Sequence, residues 1–294
     1  MEIKFVAGGK VLKNVLYIGK NSELEISEKI LKTVGNLRLI GETGVGKTTL
    51  VYKLAEKLNA VLFETVLTRD TSRWDLVATD VLKQGETQIR KGIILNWLEA
   101  DQNEPKIKNQ PKILYIDGFN YAEPNIISLI ESLADFRGNI FIPELNKEYF
   151  RTELHYLIIS YNPSEKQGYS GTFIENIATL RRFEGLVIDY LPIPKEVKLL
   201  QRFYPENYNW CRKMVEIANK TRILYKNGEL RLPLTTGNLI NYAKLKKAGL
   251  EDSQILEIIL SLFPENERSL VRSLAEEVEA SPELLEKLEK EQNS

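Results

Sequence analysis

Short apolar runs recur along the first two thirds of the chain, and the segments between them carry apolar residues at helical spacing. Each run has the length of a single strand. KILYID is apolar on both faces, as strands of a buried parallel sheet are. The alternation predicts an α/β domain built on a parallel sheet. The predicted strands are LRLI (37–40), AVLFETV (60–66), KILYID (112–117), ELHYLIIS (153–160) and GLVIDYL (185–191).

The segments between these strands predict connecting helices, with two exceptions. RGNIFIPELNKEYF (137–150) has the pattern of a hairpin, and the polar segment DQNEPKIKNQP (101–111) indicates an exposed loop. Two short strands are expected within residues 1–20. The predicted helices are SELEISEKILKTV (22–34), TTLVYKLAEKLN (48–59), 91–100, NIISLIESLADF (125–136) and FIENIATLRRF (173–183).

The character of the chain changes after Pro192 and Pro194, where predicted strands give way to helices alone. This change predicts an α/β nucleotide-binding domain over 1–192 and a smaller all-α lid domain, with a helical extension, over 193–294. The helices of the second domain are predicted at 195–204, 208–222, 237–248, 252–262, 266–279 and 282–291.

Composition excludes several classes of protein. One cysteine rules out a disulfide framework within the chain and, with one histidine, nearly rules out a Cys/His zinc site, so a cytoplasmic location is expected. Lys and Arg number 40 and Asp and Glu 41, so no global charge attracts nucleic acid or anionic membrane. No stretch approaches the length of a membrane span. The lone histidine, His155, is interpreted as a strand-edge residue.

A phosphate-binding loop follows the first buried strand. GETGVGKT (41–48) matches G-x-x-x-x-G-K-[ST], with a strand before it and a helix after it. The glycines let backbone N–H groups wrap an anion, Lys47 is expected to reach the β- and γ-phosphates, and the hydroxyl of Thr48 to bind Mg²⁺. Asp117, at the end of its strand, is the second candidate for the metal. The predicted nucleotide-binding residues are Gly41, Glu42, Thr43, Gly44, Val45, Gly46, Lys47, Thr48 and Thr49.

Four further segments resemble AAA+ ATPases of the MoxR/CbbQ and dynein-related group over roughly residues 20–250. The order and spacing of the segments are typical of that group, although no single one is specific. In family terms they resemble the Walker B segment, an inserted hairpin, the sensor-1 strand ending in Asn-Pro with a Gly-Tyr loop, and an Arg-Phe segment before the last strand. The segments are ILYIDGFNYAEPNIISLIESL (113–133), RGNIFIPELN (137–146), LIISYNPSEKQGYSGT (157–172) and IATLRRFEGLVIDYLP (177–192).

The resemblance implies roles and partners. ATP and Mg²⁺ would be the cofactors, and Asn162 would be the sensor-1 residue that orients the attacking water. Arg182, or its neighbour Arg181, would lie at the subunit boundary and act as an arginine finger, which contributes a factor of about 10³–10⁵ in rate. The resemblance also implies a ring, a hexamer, that remodels a partner protein, with a von Willebrand factor A domain protein as the implied partner.

Two positions depart from the family pattern. Gly118 follows Asp117 where the family has the glutamate that polarises water, and the loss of a general base costs about 10²–10⁴-fold in rate. Asn120 is too weakly basic to replace it fully, and Glu123 is expected to point elsewhere. In PLTTGNLINYAKLKKAGL (233–250), Gly237 stands where the family has a sensor-2 arginine. Slow hydrolysis is therefore expected.

Two other functions remain open at this point. A branch of the same group uses GTP and works on DNA, and RDTSRWDL (69–76) carries arginines beside Trp74 that could grip a nucleic-acid strand or a protein. The missing glutamate favours a nucleotide-binding scaffold that does not hydrolyse. Phe141 and Ile142 of the predicted hairpin are expected either to face a partner or the pore of a ring, or to cover the core.

Overall fold

A sheet of seven strands forms the centre of the first part of the molecule. The structure is a computed structural model that describes residues 1–83, 86–162 and 177–280. The strands in these residues are β1 (Glu2–Val6), β2 (Gly9–Lys13), β3 (Asn36–Ile40), β4 (Val61–Val66), β5 (Ala78–Lys83), β6 (Glu86–Lys91), β7 (Lys112–Asp117), β8 (Asn139–Ile142), β9 (Lys147–Phe150), β10 (His155–Tyr161) and β11 (Glu184–Val187).

The seven strands lie in the order β1-β2-β4-β7-β10-β3-β11. The five strands from β4 to β11 are parallel, and the β1–β2 hairpin adds an antiparallel edge. Two separate hairpins, β5–β6 and β8–β9, lie outside this sheet. The mostly parallel α/β fold predicted from the sequence is therefore confirmed.

Helices cover both faces of the sheet. The helices of all the described residues, of which α8 to α12 belong to a separate second unit, are α1 (Glu23–Thr33), α2 (Lys47–Lys57), α3 (Arg73–Leu76), α4 (Ile93–Leu98), α5 (Ala100–Asn103), α6 (Pro124–Ala134), α7 (Ile177–Arg182), α8 (Ile193–Leu200), α9 (Tyr208–Lys226), α10 (Thr236–Lys247), α11 (Asp252–Ser261) and α12 (Glu265–Ala280). One hydrophobic cluster joins α1 and α2 to one face, with Leu50 and Tyr115 in it. A second cluster joins α4 and α6 to the other face, with Trp97 and Ile126 in it.

The structure corrects three expectations. The last strand ends at Val187 rather than at residue 191, because its neighbour β3 turns into the phosphate loop after Ile40 and offers no further partner. The hairpin β5–β6 was not predicted. Residues 101–111 are not a plain loop, because the chain continues through α5 into a 3-10 turn in which Ile107 is buried.

The chain divides into two compact units, Met1–Asp189 and Tyr190–Ser294. In the second unit, α8 to α12 surround their own apolar core, which includes Trp210, Leu239 and Phe263. A buried ion pair between Arg222 and Glu196 links α9 to α8. The last helix predicted from the sequence, 282–291, lies outside the described residues. Among the helices that are described, none combines the length and apolar character needed to cross a bilayer.

Candidate functional site

The phosphate loop lies at the carboxyl end of β3, between the ends of β10 and β11. The N–H of Gly41 donates to the carbonyl of Tyr161, and a Cβ at position 41 would lie 2.3 Å from the carbonyl oxygen of Ile188. No residue but glycine fits between these two strands. Gly46 precedes α2 with φ +100°, a conformation that glycine adopts without strain. The loop is therefore shaped by its glycines.

Lys47, the first residue of α2, ties the loop together. Its Nζ donates to the carbonyl oxygens of Gly41 at 2.7 Å and Glu42 at 3.0 Å, and to Oδ1 of Asn162 at 3.0 Å. Asn162 in turn donates from Nδ2 to the hydroxyl of Thr43 at 3.2 Å. Burial lowers the pKa of Lys47 to about 8, against the attraction of Asp117 and Glu42. The loop and the end of β10 thus form one polar assembly around the ammonium group.

A chain of hydroxyl groups connects Thr48 to Asp117. The Thr48 hydroxyl lies 3.3 Å from that of Tyr115, which lies 2.9 Å from that of Ser160. Ser160 donates to Oδ1 of Asp117, which also accepts from the N–H of Gly118 at 2.9 Å. Burial raises the pKa of Tyr115 far above its usual value, so its hydroxyl stays protonated. The two candidate metal-binding residues are therefore held in one hydrogen-bonded chain.

Tyr115 and Ser160 were not predicted as site residues from the sequence. Each is a polar residue in an otherwise apolar strand, two positions from Asp117 and from Asn162 respectively, so strand alternation places it on the same face of the sheet as that residue. In β10, the interruption of the apolar run LII by Ser160 is the signal that could have indicated a site.

The hydrogen-bond donors at the carboxyl end of the sheet suit an anion with several phosphates. The first-turn N–H groups of α2 have no partner inside the helix, and the helix dipole favours negative charge there. Lys47 adds a full positive charge, only 8% exposed, at the same point. Thr48 and Asp117 supply the oxygen ligands that Mg²⁺ prefers. These residues therefore fit a nucleoside triphosphate with its metal ion.

Gly118 turns the chain sharply after Asp117. Its φ is +71°, and a Cβ at this position would lie 3.0 Å from the carbonyl oxygen of Leu67. Asn120, two residues on, is 8% exposed, and among the described residues neither of its side-chain polar atoms has a hydrogen-bond partner. Glu123 is exposed and precedes α6. The backbone at Gly118 therefore has a glycine conformation, in addition to lacking a carboxylate.

Arg181 and Arg182 lie at the amino-terminal end of the parallel strands, opposite the end that carries the phosphate loop. The side chain of Asn36, at the start of β3, donates to the carbonyl of Arg182 at 2.9 Å. Arg182 donates to the carbonyl of Ala178 at 2.9 Å and lies 3.5 Å from Oδ2 of Asp135. Arg181 is exposed. The length of β3, about 13 Å at 3.3 Å per residue, separates this edge from the phosphate loop.

The remaining candidate residues of the first unit lie at several separate positions. Arg69 and Trp74 are exposed, and Trp74 lies in α3, a short capped helix after β4. Phe141 is exposed whereas Ile142 is buried, so of these two residues Ile142 alone is part of the core. His155 begins β10, where its Nε2 lies 3.1 Å from the carbonyl oxygen of Trp97. The interpretation of His155 as a structural residue agrees with this contact.

The sensor-related segments are only partly described. Gly237 lies in α10 of the second unit, exposed and with an ordinary helical backbone. Residues 163–176 lie outside the described residues, and they contain the proline of the Asn-Pro pair, the Gly-Tyr loop and the start of the predicted helix 173–183. Among the candidates that the structure describes, Lys47, Thr48, Asp117 and Asn162 therefore lie together, with Gly41, Glu42 and Thr43 of the phosphate loop bonded to them.

Two protein-family models match successive parts of this chain. The family model described as AAA domain (dynein-related subfamily) matches residues 36–183, half of the chain. The chain belongs to the dynein-related AAA family. A second model, CbbQ/NirQ/NorQ C-terminal, matches residues 196–281. The two matches together identify a MoxR/CbbQ-type AAA+ ATPase, as the resemblance implied. Members of this family bind nucleotide, typically with Mg²⁺, and are typically oligomeric.

Two curated relatives cover most of this AAA+ protein. Protein NorQ of Paracoccus denitrificans (strain Pd 1222) is 24% identical over 243 residues, which cover 82% of this chain and 84% of NorQ. Denitrification regulatory protein NirQ of Stutzerimonas stutzeri is 24% identical over 214 residues, 73% of each protein. Both alignments are longer than the first unit, so the similarity extends into the helical unit.

Proposed function

We propose that this AAA+ protein binds MgATP between the subunits of a hexameric ring, hydrolyses it slowly, and remodels a partner protein in the cytoplasm. In this proposal residues 1–192 are the nucleotide-binding domain and 193–294 the lid. The supporting observation is the pair of linkages at the carboxyl edge of the sheet. Lys47 joins the phosphate loop to Asn162, and hydroxyl groups join Thr48 to Asp117.

Each residue of the site has a distinct part in the proposal. Lys47 and the first-turn N–H groups of α2, including that of Thr49, hold the phosphates, and the glycines let the backbone approach them. Thr48 and Asp117 would hold Mg²⁺. When bound, that ion neutralises the charge that develops on the phosphoryl oxygens. Tyr115 and Ser160 keep the two ligands in position before the ion arrives.

Water activation is the weak step of this site. Asn162 orients the attacking water with a neutral carboxamide, which removes no proton. Gly118 supplies no side chain at the position where the family has its general base. We expect turnover about 10²–10⁴-fold below that of a site with the base, because general-base catalysis contributes a factor of that size. Nucleotide therefore stays bound far longer than in a rapid motor.

The arginine finger is proposed to act on a neighbouring subunit. Arg182 lies at the amino-terminal end of the parallel strands, one strand length from the phosphate loop of its own chain. It cannot reach that loop, whereas a head-to-tail neighbour brings its own loop to this edge. Arg181 is the alternative finger, since it is exposed beside Arg182. Head-to-tail contacts form a ring when the rotation between subunits closes, as the proposed hexamer requires.

A protein with a von Willebrand factor A domain is the proposed partner, from the family resemblance alone.

A second candidate function, a nucleotide-holding scaffold without turnover, is favoured by the backbone at Gly118. There, the φ of +71° is one that side chains rarely adopt, and a Cβ would lie 3.0 Å from the carbonyl oxygen of Leu67.

Steady-state MgATP hydrolysis, measured beside nucleotide binding by calorimetry, tests the proposal. We expect slow turnover by the wild-type protein, and neither binding nor turnover by Lys47→Ala. Arg182→Ala should bind nucleotide normally and lose turnover by a factor of about 10³ or more. Wild-type behaviour of Arg182→Ala in both assays would show that the finger is another residue. Binding without any turnover in the wild type would favour the scaffold.

A further inference from the structure

A further carboxylate, that of Glu64, lies on the same face of the sheet as the candidate metal-binding residues. Glu64 belongs to β4, which runs parallel to β7, and it pairs in register with Tyr115. Residues in register on neighbouring strands share a face, and so do residues two apart on one strand. Glu64, Tyr115 and Asp117 therefore lie on the face of the sheet that α2 covers.

Helix α2 brings Tyr52 to this carboxylate. The hydroxyl of Tyr52 donates to Oε1 of Glu64 at 3.0 Å. Tyr52 follows Thr48 by four residues, so the two side chains lie one turn apart on the same side of α2. Burial, the hydrogen bond to Glu64 and the charges of Glu64 and Asp117 raise the pKa of Tyr52 to about 12. The Tyr52 hydroxyl is thus close enough to both carboxylates to respond to their charge.

The two oxygens of the Glu64 carboxylate have different surroundings. Oε1 also forms an ion pair with Nζ of Lys10, on β2. Oε2 is buried, and within the part of the chain that the structure describes it has no hydrogen-bond partner. A buried carboxylate oxygen without a donor is costly, so a group that donates hydrogen bonds is expected beside it.

The water ligands of Mg²⁺ are donors of the required kind. Mg²⁺ prefers octahedral coordination and usually keeps several waters in its nucleotide sites. Thr48 and Asp117 are the two protein ligands proposed above, so further coordination positions are filled by phosphate and water. A water polarised by the ion donates a strong hydrogen bond to a carboxylate. The unpartnered Oε2 of Glu64 suits such a water, because it lies on the same face of the sheet as Asp117.

We propose that Glu64 is a positioning residue of the metal site, which accepts a hydrogen bond from a water ligand of Mg²⁺ while Tyr52 and Lys10 hold its other oxygen. The inference rests on the proposed function and adds one residue to that site. Outer residues of this kind orient the ligands of a metal and contribute a factor of about 10–100 in metal affinity.

Calorimetry of ATP binding, in Mg²⁺ and in EDTA, separates this role from a merely structural one. In Glu64→Gln, the carboxamide oxygen still accepts the bond from Tyr52, but the negative charge is gone. We expect Mg²⁺ to improve the ATP affinity of this variant about tenfold less than that of the wild type. Its affinity for ATP in EDTA should equal or exceed that of the wild type, because one negative charge near the triphosphate has been removed. A damaged fold would lower both affinities.

Two control variants distinguish the carboxylate from its surroundings. Tyr52→Phe removes the hydrogen bond between α2 and β4 but keeps the Glu64 carboxylate, so Mg²⁺ should improve its ATP affinity nearly as much as in the wild type. Glu56→Gln removes a carboxylate near the far end of α2, where it pairs with Lys53. This variant should match the wild type in both conditions.

Three results would overturn the inference. If Mg²⁺ improves ATP binding equally in the wild type and in Glu64→Gln, Glu64 has no part in the metal site, although the proposed function stands. If Tyr52→Phe loses as much of the Mg²⁺ effect as Glu64→Gln, the link between α2 and β4 matters rather than the carboxylate. If the wild type binds no ATP, or binds it equally well in Mg²⁺ and in EDTA, the proposed function fails and the inference fails with it.

Discussion

The Nζ atom of Lys47 lies 3.0 Å from Oδ1 of Asn162, although the two residues are separated by 115 positions in the chain. Parallel pairing of β3 with β10 brings them together, because the strands are neighbours and end at the same edge. The ammonium group is held by neutral oxygens alone in these contacts. Burial outweighs the attraction of Asp117 and Glu42, so the charged form of Lys47 is less favoured than that of an exposed lysine.

Nucleotide binding should therefore take up a proton at alkaline pH. Burial lowers the pKa of Lys47 to about 8, so at pH 9 most free protein carries a neutral amine. A bound phosphate favours the charged form and raises that pKa again. We expect uptake of about one proton per site at pH 9 and much less at pH 7. Calorimetry in two buffers of different ionisation enthalpy measures this number directly.

Lys47→Arg is the control for this experiment. Arginine keeps the positive charge at every accessible pH, so its binding should involve no such uptake even if its affinity is lower. Equal proton uptake by the two proteins at pH 9, or none by the wild type, would contradict the assigned pKa shift.

Two glycines should respond to alanine in opposite directions. At Gly118, φ of +71° and the Leu67 carbonyl 3.0 Å from the new Cβ make Gly118→Ala destabilising by about 1–2 kcal/mol. Gly118→Glu should suffer the same backbone cost. At Gly237 the backbone is helical, and the nearest atom to a new Cβ is the Thr235 hydroxyl at 3.6 Å. Gly237→Ala should therefore stabilise its unit by about 0.5–1 kcal/mol.

Urea unfolding of each variant, followed by tryptophan fluorescence, checks both signs. Trp97 is buried in the first unit and Trp210 in the second, so each unit has its own internal reporter. A Gly118→Ala protein as stable as the wild type would mean that the turn after Asp117 does not require glycine.

The single histidine should make the fold sensitive to mild acid. The N–H of Thr152 donates to Nδ1 of His155, so the neutral ring donates from Nε2 to the carbonyl of Trp97. Burial is the main cause that lowers the pKa of His155 to about 4. Between pH 6.5 and 4 the unfolded chain therefore binds a proton that the folded chain does not. The free energy of unfolding should fall by about 2–3 kcal/mol as the pH drops through this window.

His155→Gln isolates this contribution from that of the carboxylates. The variant should be less stable at pH 7, yet its free energy of unfolding should fall less steeply between pH 6.5 and 4. Parallel pH profiles for the two proteins would show that His155 does not cause the acid sensitivity.

Much of the fold could be predicted because the signals are local. Buried strands such as KILYID and a complete phosphate-loop motif specify both element type and neighbours. The short β11 could not be foreseen, since its length depends on where β3 turns into the loop at Gly41. The hairpin β5–β6 was missed because its polar strands lie outside the main sheet and lack a continuous apolar face.

The site was predictable only in part, for a similar reason. Lys47, Thr48 and Asp117 follow from motif and spacing, whereas Tyr115 and Ser160 enter through strand register. The conformation of Gly118 depends on the close approach of Leu67, which lies 51 positions earlier in the chain. Asp135 contacts both Arg137 and Arg182. It follows the last residue of α6, and nothing in the sequence pattern distinguishes it from other helix ends.

Complementation between two inactive variants tests the central claim, a nucleotide site completed by a second copy of the chain. Lys47→Ala lacks a working phosphate loop but keeps Arg182, and Arg182→Ala has the reverse defect. Each alone should show no MgATP turnover. If Arg182 acts in trans, an equimolar mixture should recover a substantial fraction of wild-type turnover, because some sites then pair an intact loop with an intact arginine. A mixture as inactive as its components, although sedimentation shows mixed assemblies, would contradict the account.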